Sequence, residues 1–240
     1  FNTKIEIATP KEIMDLCIFQ HDGVLTTYSY RVKIGLEALL NRRYYFERNR
    51  AYINPNQILN YSYYDGYWQS YKYVDMVRED LKTHFLPNFE INPMTKNMIA
   101  KVKTQNSVFL GVRKGDYSQR ESHYGNIDQA YYYKAIDYIL DKVREPVFYV
   151  FSNDIEWVKS NLKLDSLKVV YREEEDIIDD FEELMIMASC KHSIIINSTF
   201  HWWGANLNYY PGKIVVAPSK WFFDNKPIDI IPANWKRIEV

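Results

Sequence analysis

From about residue 100 onward the apolar positions come in blocks of two kinds. Short runs rich in β-branched and aromatic residues, bounded by polar ones, fall at 107–112, 147–151, 167–171, 193–196 and 213–217. They are too short for helices and predict buried strands. Between them lie longer stretches with apolar residues three and four apart. The stretch 128–143 predicts a helix with Ala130, Tyr133, Ile136, Ile139 and Leu140 on one face. Asp154 predicts the cap of a short helix that ends near residue 162. Asp180, with Glu183 three residues on, has the form of a capping box, and Phe181, Leu184, Met185 and Ala188 share a stripe. A further helix is predicted from Phe200 to about Asn208. Strand and helix in alternation give an α/β fold, a parallel sheet covered by helices on both faces.

Residues 1–100 are less regular. Thr9-Pro10-Lys11-Glu12 has the chemistry of a helix start, and 29–41 holds a second amphipathic segment. Asp65-Gly66-Tyr67-Trp68-Gln69-Ser70 predicts a turn into a helix over 71–85. Its aromatic pair serves packing or stacking on a sugar. Pro87, Asn88, Asn92 and Pro93 punctuate the chain and predict a boundary, dividing it into 1–100 and 101–240. Arg42, Arg43, Arg48 and Arg50 cluster among Tyr and Phe, as a solvated basic surface or a face for an anion.

Composition changes this picture little. The 30 Lys and Arg nearly balance the 31 Asp and Glu, so no global field recruits nucleic acid, and none is expected as a partner. Cys17 and Cys190 lie far apart among apolar residues, which predicts buried thiols in a reducing compartment and no zinc site. No run of 18 apolar residues occurs, so no transmembrane helix is expected, and a cytoplasmic or membrane-peripheral location follows. The start, Phe-Asn-Thr-Lys-Ile, has no initiator Met and no signal-peptide pattern, as expected of a cut or incomplete N-terminus.

The chemistry gathers where the predicted strands end, since ligands of such sheets bind beyond the carboxyl ends. After the first strand come Arg113, Lys114 and Asp116; after the second, Ser152 and Asp154; after the fourth, Asn197, Ser198 and Thr199. The last three open a helix, where free N–H groups and the positive dipole end suit a phosphate. A guanidinium that can bind phosphate bidentately would meet them there. Each feature has a plain alternative: Asp116 pairing with Arg113, Ser152 and Asp154 as caps, 197–199 as a capped helix without ligand. No Gly-x-Gly-x-x-Gly follows a strand and no Gly-x-x-x-x-Gly-Lys-Ser/Thr occurs, which removes the usual dinucleotide and NTPase motifs. The acidic run 173–176, with Asp179 and Asp180, fits a solvated or capping role better than a metal site, and no metal is expected.

These residues resemble a known family. Val108-Phe-Leu-Gly-Val-Arg-Lys-Gly-Asp-Tyr117 resembles the His-x-Arg-Arg-Gly-Asp-Tyr motif of the α-1,2-fucosyltransferases, glycosyltransferase family 11. Phe151-Ser-Asn-Asp154 is similar to their Phe-Ser-Asp-Asp, and Asp65-Gly-Tyr-Trp-Gln-Ser70 to another of their segments. The stretch 183–205 is similar throughout to their last motif, which ends Asn-Ser-Ser/Thr-Phe-Ser-Trp-Trp. Three departures stand out. The family's Gly-Gly-x-Gly-Asn-Gln start is missing, Gly111 replaces the motif's His, and Lys114 replaces its second Arg.

The resemblance implies a GT-B-like fold: a Rossmann-like, nucleotide-sugar-binding domain at 101–240, and an incomplete, largely helical acceptor-side domain at 1–100. It implies metal-independent, inverting transfer of fucose from GDP-fucose to a galactose 2-hydroxyl of a glycan acceptor, with no cofactor. Arg113 would stabilise the leaving β-phosphate, with Lys114, Asn197, Ser198 and Thr199 on the diphosphate and Ser152, Asp154 and Glu183 as further donor contacts. Asp116 and Glu121 are the candidate bases. Two alternatives remain: a transferase for another nucleotide sugar, given room by Gly111, and a non-catalytic nucleotide- or carbohydrate-binding remnant.

Overall fold

The computed structural model describes residues 44–47, 50–58, 63–84, 90–113, 127–171, 179–223 and 228–240. The chain divides into two compact units, one of residues 1–48 with 53–67, the other of 49–52 with 68–240. In the first, β1 (Tyr44–Phe46) pairs in parallel with β2 (Tyr63–Asp65), and Pro55–Gln57 forms a 3-10 turn. Tyr67 donates its N–H to Glu47 Oε2 at 2.8 Å, closing the turn after β2. The predicted helices near 9–19 and 29–41, Cys17, Arg42, Arg43 and Arg48 lie outside the described residues.

The second unit opens with α1 (Tyr71–Met76) and α2 (Arg78–His84), then α3 (Pro93–Thr104). The single helix expected over 71–85 is thus broken at Val77, whose N–H bonds Val74 O at 3.2 Å instead of continuing the α pattern. Asn92-Pro93 starts α3: Asn92 Oδ1 accepts from Met94 N–H, and Pro93 takes a first-turn position where its missing N–H goes unmissed. The unit therefore begins well before residue 100, where the boundary was expected.

Strands and helices then alternate: β3 (Ser107–Val112), α4 (Gln129–Lys142), β4 (Val147–Ser152), α5 (Ile155–Asn161), β5 (Lys168–Tyr171), α6 (Asp180–Ser189), β6 (His192–Ile194), α7 (Thr199–Asn206), β7 (Val215–Pro218) and β8 (Lys236–Ile238). All five expected strands are present, and β8 is a sixth. The sheet is parallel throughout, in the order β5-β4-β3-β6-β7-β8. Numbered from β3, this is 3-2-1-4-5-6, the winding of the Rossmann fold.

Alternate residues of each strand enter different cores, as a period of two dictates. Phe109, Tyr149, Phe151, Ile195 and Ala217 join one cluster with residues of α3, α6 and α7. Val108, Leu110, Phe148, Val150 and Val216 join the other, with residues of α4 and α5. The helix faces differ from expectation. α4 buries Tyr131, Tyr132, Ala135, Ile136 and Ile139, while Leu140 is 42% exposed. α6 is capped by Asp179, whose Oδ1 accepts from Phe181 and Glu182 N–H, not by Asp180. It is buried on more than one side, through Leu184, Ile186 and Met187, because α3 and α7 both pack on it. Among the described residues no helix is long and apolar enough to cross a membrane.

Candidate functional site

The winding reverses beside β3. From β3 the chain moves outward to β4 and β5, then returns across to β6 on the other side. A crevice opens at such a reversal, outside the carboxyl ends of the two strands that flank it. Here those strands are β3 and β6, paired at Val108 with His192, Phe109 with Ser193 and Leu110 with Ile194. Three residues past that last pair stand Arg113 on one strand and Asn197 on the other. Arg113 and the start of α7 therefore leave adjacent strands at one edge of one sheet, as the sequence predicts.

The local structure of that edge follows from its residues. Ile195 and Ile196 are buried, and Ile195 N–H donates to Val216 O at 2.9 Å. Asn197 Nδ2 donates to Trp221 O at 3.1 Å, which fixes the turn. Ser198 holds the N-cap position in an extended conformation, yet its hydroxyl makes no cap hydrogen bond. Ser70, Asn92, Asp128, Asp154 and Asp179 all accept backbone N–H groups at their own helix starts. Among these described helix starts, that of α7 differs in lacking a side-chain cap bond. The rest of α7 is anchored. Trp202 Nε1 donates to Ile230 O at 2.6 Å, and Lys213 Nζ donates to Ala205 O at 2.9 Å. Gly204 lets α7 close on α6; a Cβ there would sit 3.0 Å from Met187 Cβ.

His201, in that same first turn, has no place among the residues singled out from the sequence. Its side chain is buried against Gly111 of β3: a Cβ built on Gly111 would lie 2.5 Å from His201 Nδ1 and 2.7 Å from Cγ and Cε1. Burial and then the Arg113 charge push the imidazole down to about 3, so it is neutral at physiological pH. Among the described residues, His201 Nδ1 and Ser193 Oγ are the buried side-chain polar atoms without a hydrogen-bond partner. The signal was present in the motif letters. The family pattern has Ser where this chain has His201, and His where it has Gly111.

The other candidates divide. Ser152 and Asp154 stand at the carboxyl end of β4 but work locally. Ser152 Oγ accepts from Asp154 N–H at 3.0 Å, and Asp154 Oδ1 accepts from Trp157 N–H at 2.8 Å to cap α5. Thr199 is exposed at the start of α7, and Glu183 is half-buried in the first turn of α6. Lys114, Asp116 and Glu121 lie outside the described residues, as does the acidic run 173–176. Arg50 stacks on Phe222, its guanidinium carbon 3.9 Å from the ring centre. Cys190 is a buried free thiol whose ionisation burial pushes up.

A parallel sheet wound in this order, with Arg113 and the start of α7 at its reversal, defines a Rossmann-like α/β unit. The chain belongs to Glycosyl transferase family 11, whose model matches residues 33–239. It is 32% identical over 184 residues to an alpha-1,2-colitosyltransferase of Escherichia coli, covering 72% of this chain and 61% of that one. It is 29% identical over 249 residues to the O-antigen biosynthesis glycosyltransferase WbnK of Escherichia coli, covering 95% and 79%. With the human galactoside alpha-(1,2)-fucosyltransferase 1 it shares 25% over 152 residues, 59% of this chain and 42% of that one. The chain thus spans about three fifths of the first relative and about two fifths of the human one.

Proposed function

We propose that this chain carries the donor-binding half of an inverting glycosyltransferase that moves fucose from GDP-fucose to a galactose 2-hydroxyl. The observation that supports this reading is the pairing of β3 with β6, from which Arg113 and the start of α7 leave at the same edge of the sheet. Family membership and the relatives named for alpha-1,2 transfer support it. In this reading the diphosphate lies across the first turn of α7, where backbone N–H groups and the Ser198 and Thr199 hydroxyls donate to its oxygens. Asn197 holds the turn through Trp221 O and so keeps those donors aimed. Arg113, with Lys114 beside it in sequence, offsets the charge that collects on the β-phosphate as the sugar–oxygen bond breaks. The acceptor oxygen bonds to the fucose anomeric carbon from the opposite face, the bonding pair leaves on GDP, and the hydroxyl proton passes to Asp116 or Glu121. Ser152, Asp154 and Glu183 are further donor contacts in this reading, the first two beside their local role at the start of α5. The step uses neither metal nor cofactor.

Calorimetric titration with GDP, GDP-fucose and UDP-sugars tests the donor. GDP and GDP-fucose bind in this reading, and a protein that binds neither overturns it. Arg113→Ala should lower GDP release from GDP-fucose about 10²–10³-fold, the loss of one preorganised electrostatic donor. A second reading, a transferase for another nucleotide sugar, is favoured by the relative named for colitosyl transfer. Tighter binding of a different sugar nucleotide than of GDP-fucose would select it.

A further inference from the structure

We propose that a groove at the amino edge of the sheet, lined by apolar side chains and bordered by Lys103, Lys191, Tyr209 and Tyr210, docks the protein on a membrane surface rich in anionic phospholipid. The groove lies at the opposite sheet edge from Arg113 and Asn197, and the proposal does not rest on the donor reading.

Its place follows from the winding. Lys103 ends α3 just before β3, Lys191 immediately precedes β6, and residues 207–210 lie between α7 and β7. In a parallel sheet these are all strand starts, whereas Arg113 and Asn197 follow strand ends. There α2, α3, α6 and the segment after α7 line a groove of about 480 Å³, the size of a site for a small ligand. Its apolar lining is Leu81, Leu184, Met185, Ala188 and Leu207.

Three observations choose the occupant. The charge is one-sided: Lys82, Lys103 and Lys191 line the groove, and no carboxylate does among the described residues. Glu79 offsets Lys82 at 2.7 Å, but Lys191 Nζ meets neutral groups, Asn106 Oδ1 at 3.3 Å and the Tyr210 ring at 5.7 Å from its centre. The chain as a whole carries a net charge of -1, so an anionic surface is drawn by this patch and not by an overall field. Next, Tyr209 and Tyr210 are 40% and 42% exposed, side by side at the rim. A ring with a polar tip suits the boundary between headgroup and hydrocarbon. Lys82 and Lys191 stand over these two rings, so cation and aromatic are presented together. Last, the apolar lining gains nothing from a hydrophilic polyanion. It does gain from the hydrocarbon of a lipid whose phosphate meets the lysines.

The test is flotation of the full chain with vesicles, phosphatidylcholine alone against equal parts of phosphatidylcholine and phosphatidylglycerol. The wild type should float with the second and not with the first, and added salt should release it. Lys103→Gln/Lys191→Gln should lower the partition coefficient about 25-fold, roughly fivefold for each lysine near an anionic surface. Tyr209→Ser/Tyr210→Ser should lower it about tenfold, through the ring area withdrawn from the interface. Lys134→Gln, an exposed position of α4, should leave it unchanged. Melting temperatures show that each variant folds. Tyr210 also packs edge-on against His192, so if the tyrosine pair is destabilised Tyr209→Ser alone carries the test, with a loss of about threefold. Equal binding to both vesicles, a wild type that floats with neither, or lysine or tyrosine variants that float like the wild type would each overturn the proposal. So would a loss in Lys134→Gln as large as in the lysine pair, or a dimer in light scattering that leaves vesicles unbound.

Discussion

His201 resists protonation in the folded protein. In the unfolded chain an imidazole takes up its proton as pH falls through about 6.5. In the fold, burial and the Arg113 charge delay that until about 3. Between these values the unfolded chain binds more protons, so stability rises with pH there and is lost as pH falls from about 6.5 towards 3. The slope for one such group is about 1.4 kcal/mol per pH unit. His192 is also lowered, by burial and then by Lys191, and adds in the same direction. Urea midpoints at pH 7 and pH 5 should therefore fall more for the wild type than for His201→Asn. Equal losses in the two proteins would show that His201 is not held neutral. At this scale Arg113 and the 197–199 turn were legible, because a strand that runs into hydroxyls and a helix leaves a local pattern. His201 was not, because its meaning lies in a contact with a residue on another element.

At the scale of elements, legibility followed burial. β3 and β4 are buried on both faces and read as unbroken apolar runs, so both were found within a residue of their ends. The faces of α4 and α6 were misjudged, since each meets neighbours that periodicity cannot announce. Glu182 is the sharpest instance: a carboxylate in a helix, 6% exposed. Its Oε1 accepts from Asn92 N–H at 2.6 Å and its Oε2 from Thr95 Oγ at 3.0 Å, tying the start of α6 to the start of α3. Two helix N-termini share this one negative charge, which both dipoles favour. Glu182→Ala strands a backbone donor and a hydroxyl and should cost about 2–3 kcal/mol in urea unfolding. Glu182→Gln keeps one acceptor and should cost roughly half as much. Asp179→Ala, by comparison, removes only a solvent-exposed cap and should cost about 1 kcal/mol.

For the molecule as a whole, the α/β class was legible from alternation alone, whereas strand order was not. Order depends on which strands meet across the sheet, and β8 escaped notice because a three-residue edge strand with two exposed positions has no apolar run. The division near residue 100 rested on prolines and asparagines, yet α3 packs on α6 and β3 and belongs with the sheet. The sheet unit also recruits a distant piece of chain. Arg50 bridges to Ile228, and Tyr52 N–H donates to Asp229 Oδ2 at 3.1 Å, the same oxygen that Lys72 Nζ meets at 3.1 Å. Arg113, Asn197, Ser198 and His201 all lie within this unit. A chain of residues 49–240 should therefore unfold in one cooperative urea transition and retain GDP binding, while one of residues 68–240 should fold but be less stable. The difference should be about 2–3 kcal/mol, since what is lost includes one hydrogen bond to a charged carboxylate, the Arg50 stack on Phe222 and bridge to Ile228, and the Tyr52 contacts with Tyr73, Lys72 and Met76. Equal stability of the two would show that residues 49–52 only rest on the unit. Loss of all structure from 68–240 would show instead that the sheet depends on chain far outside it.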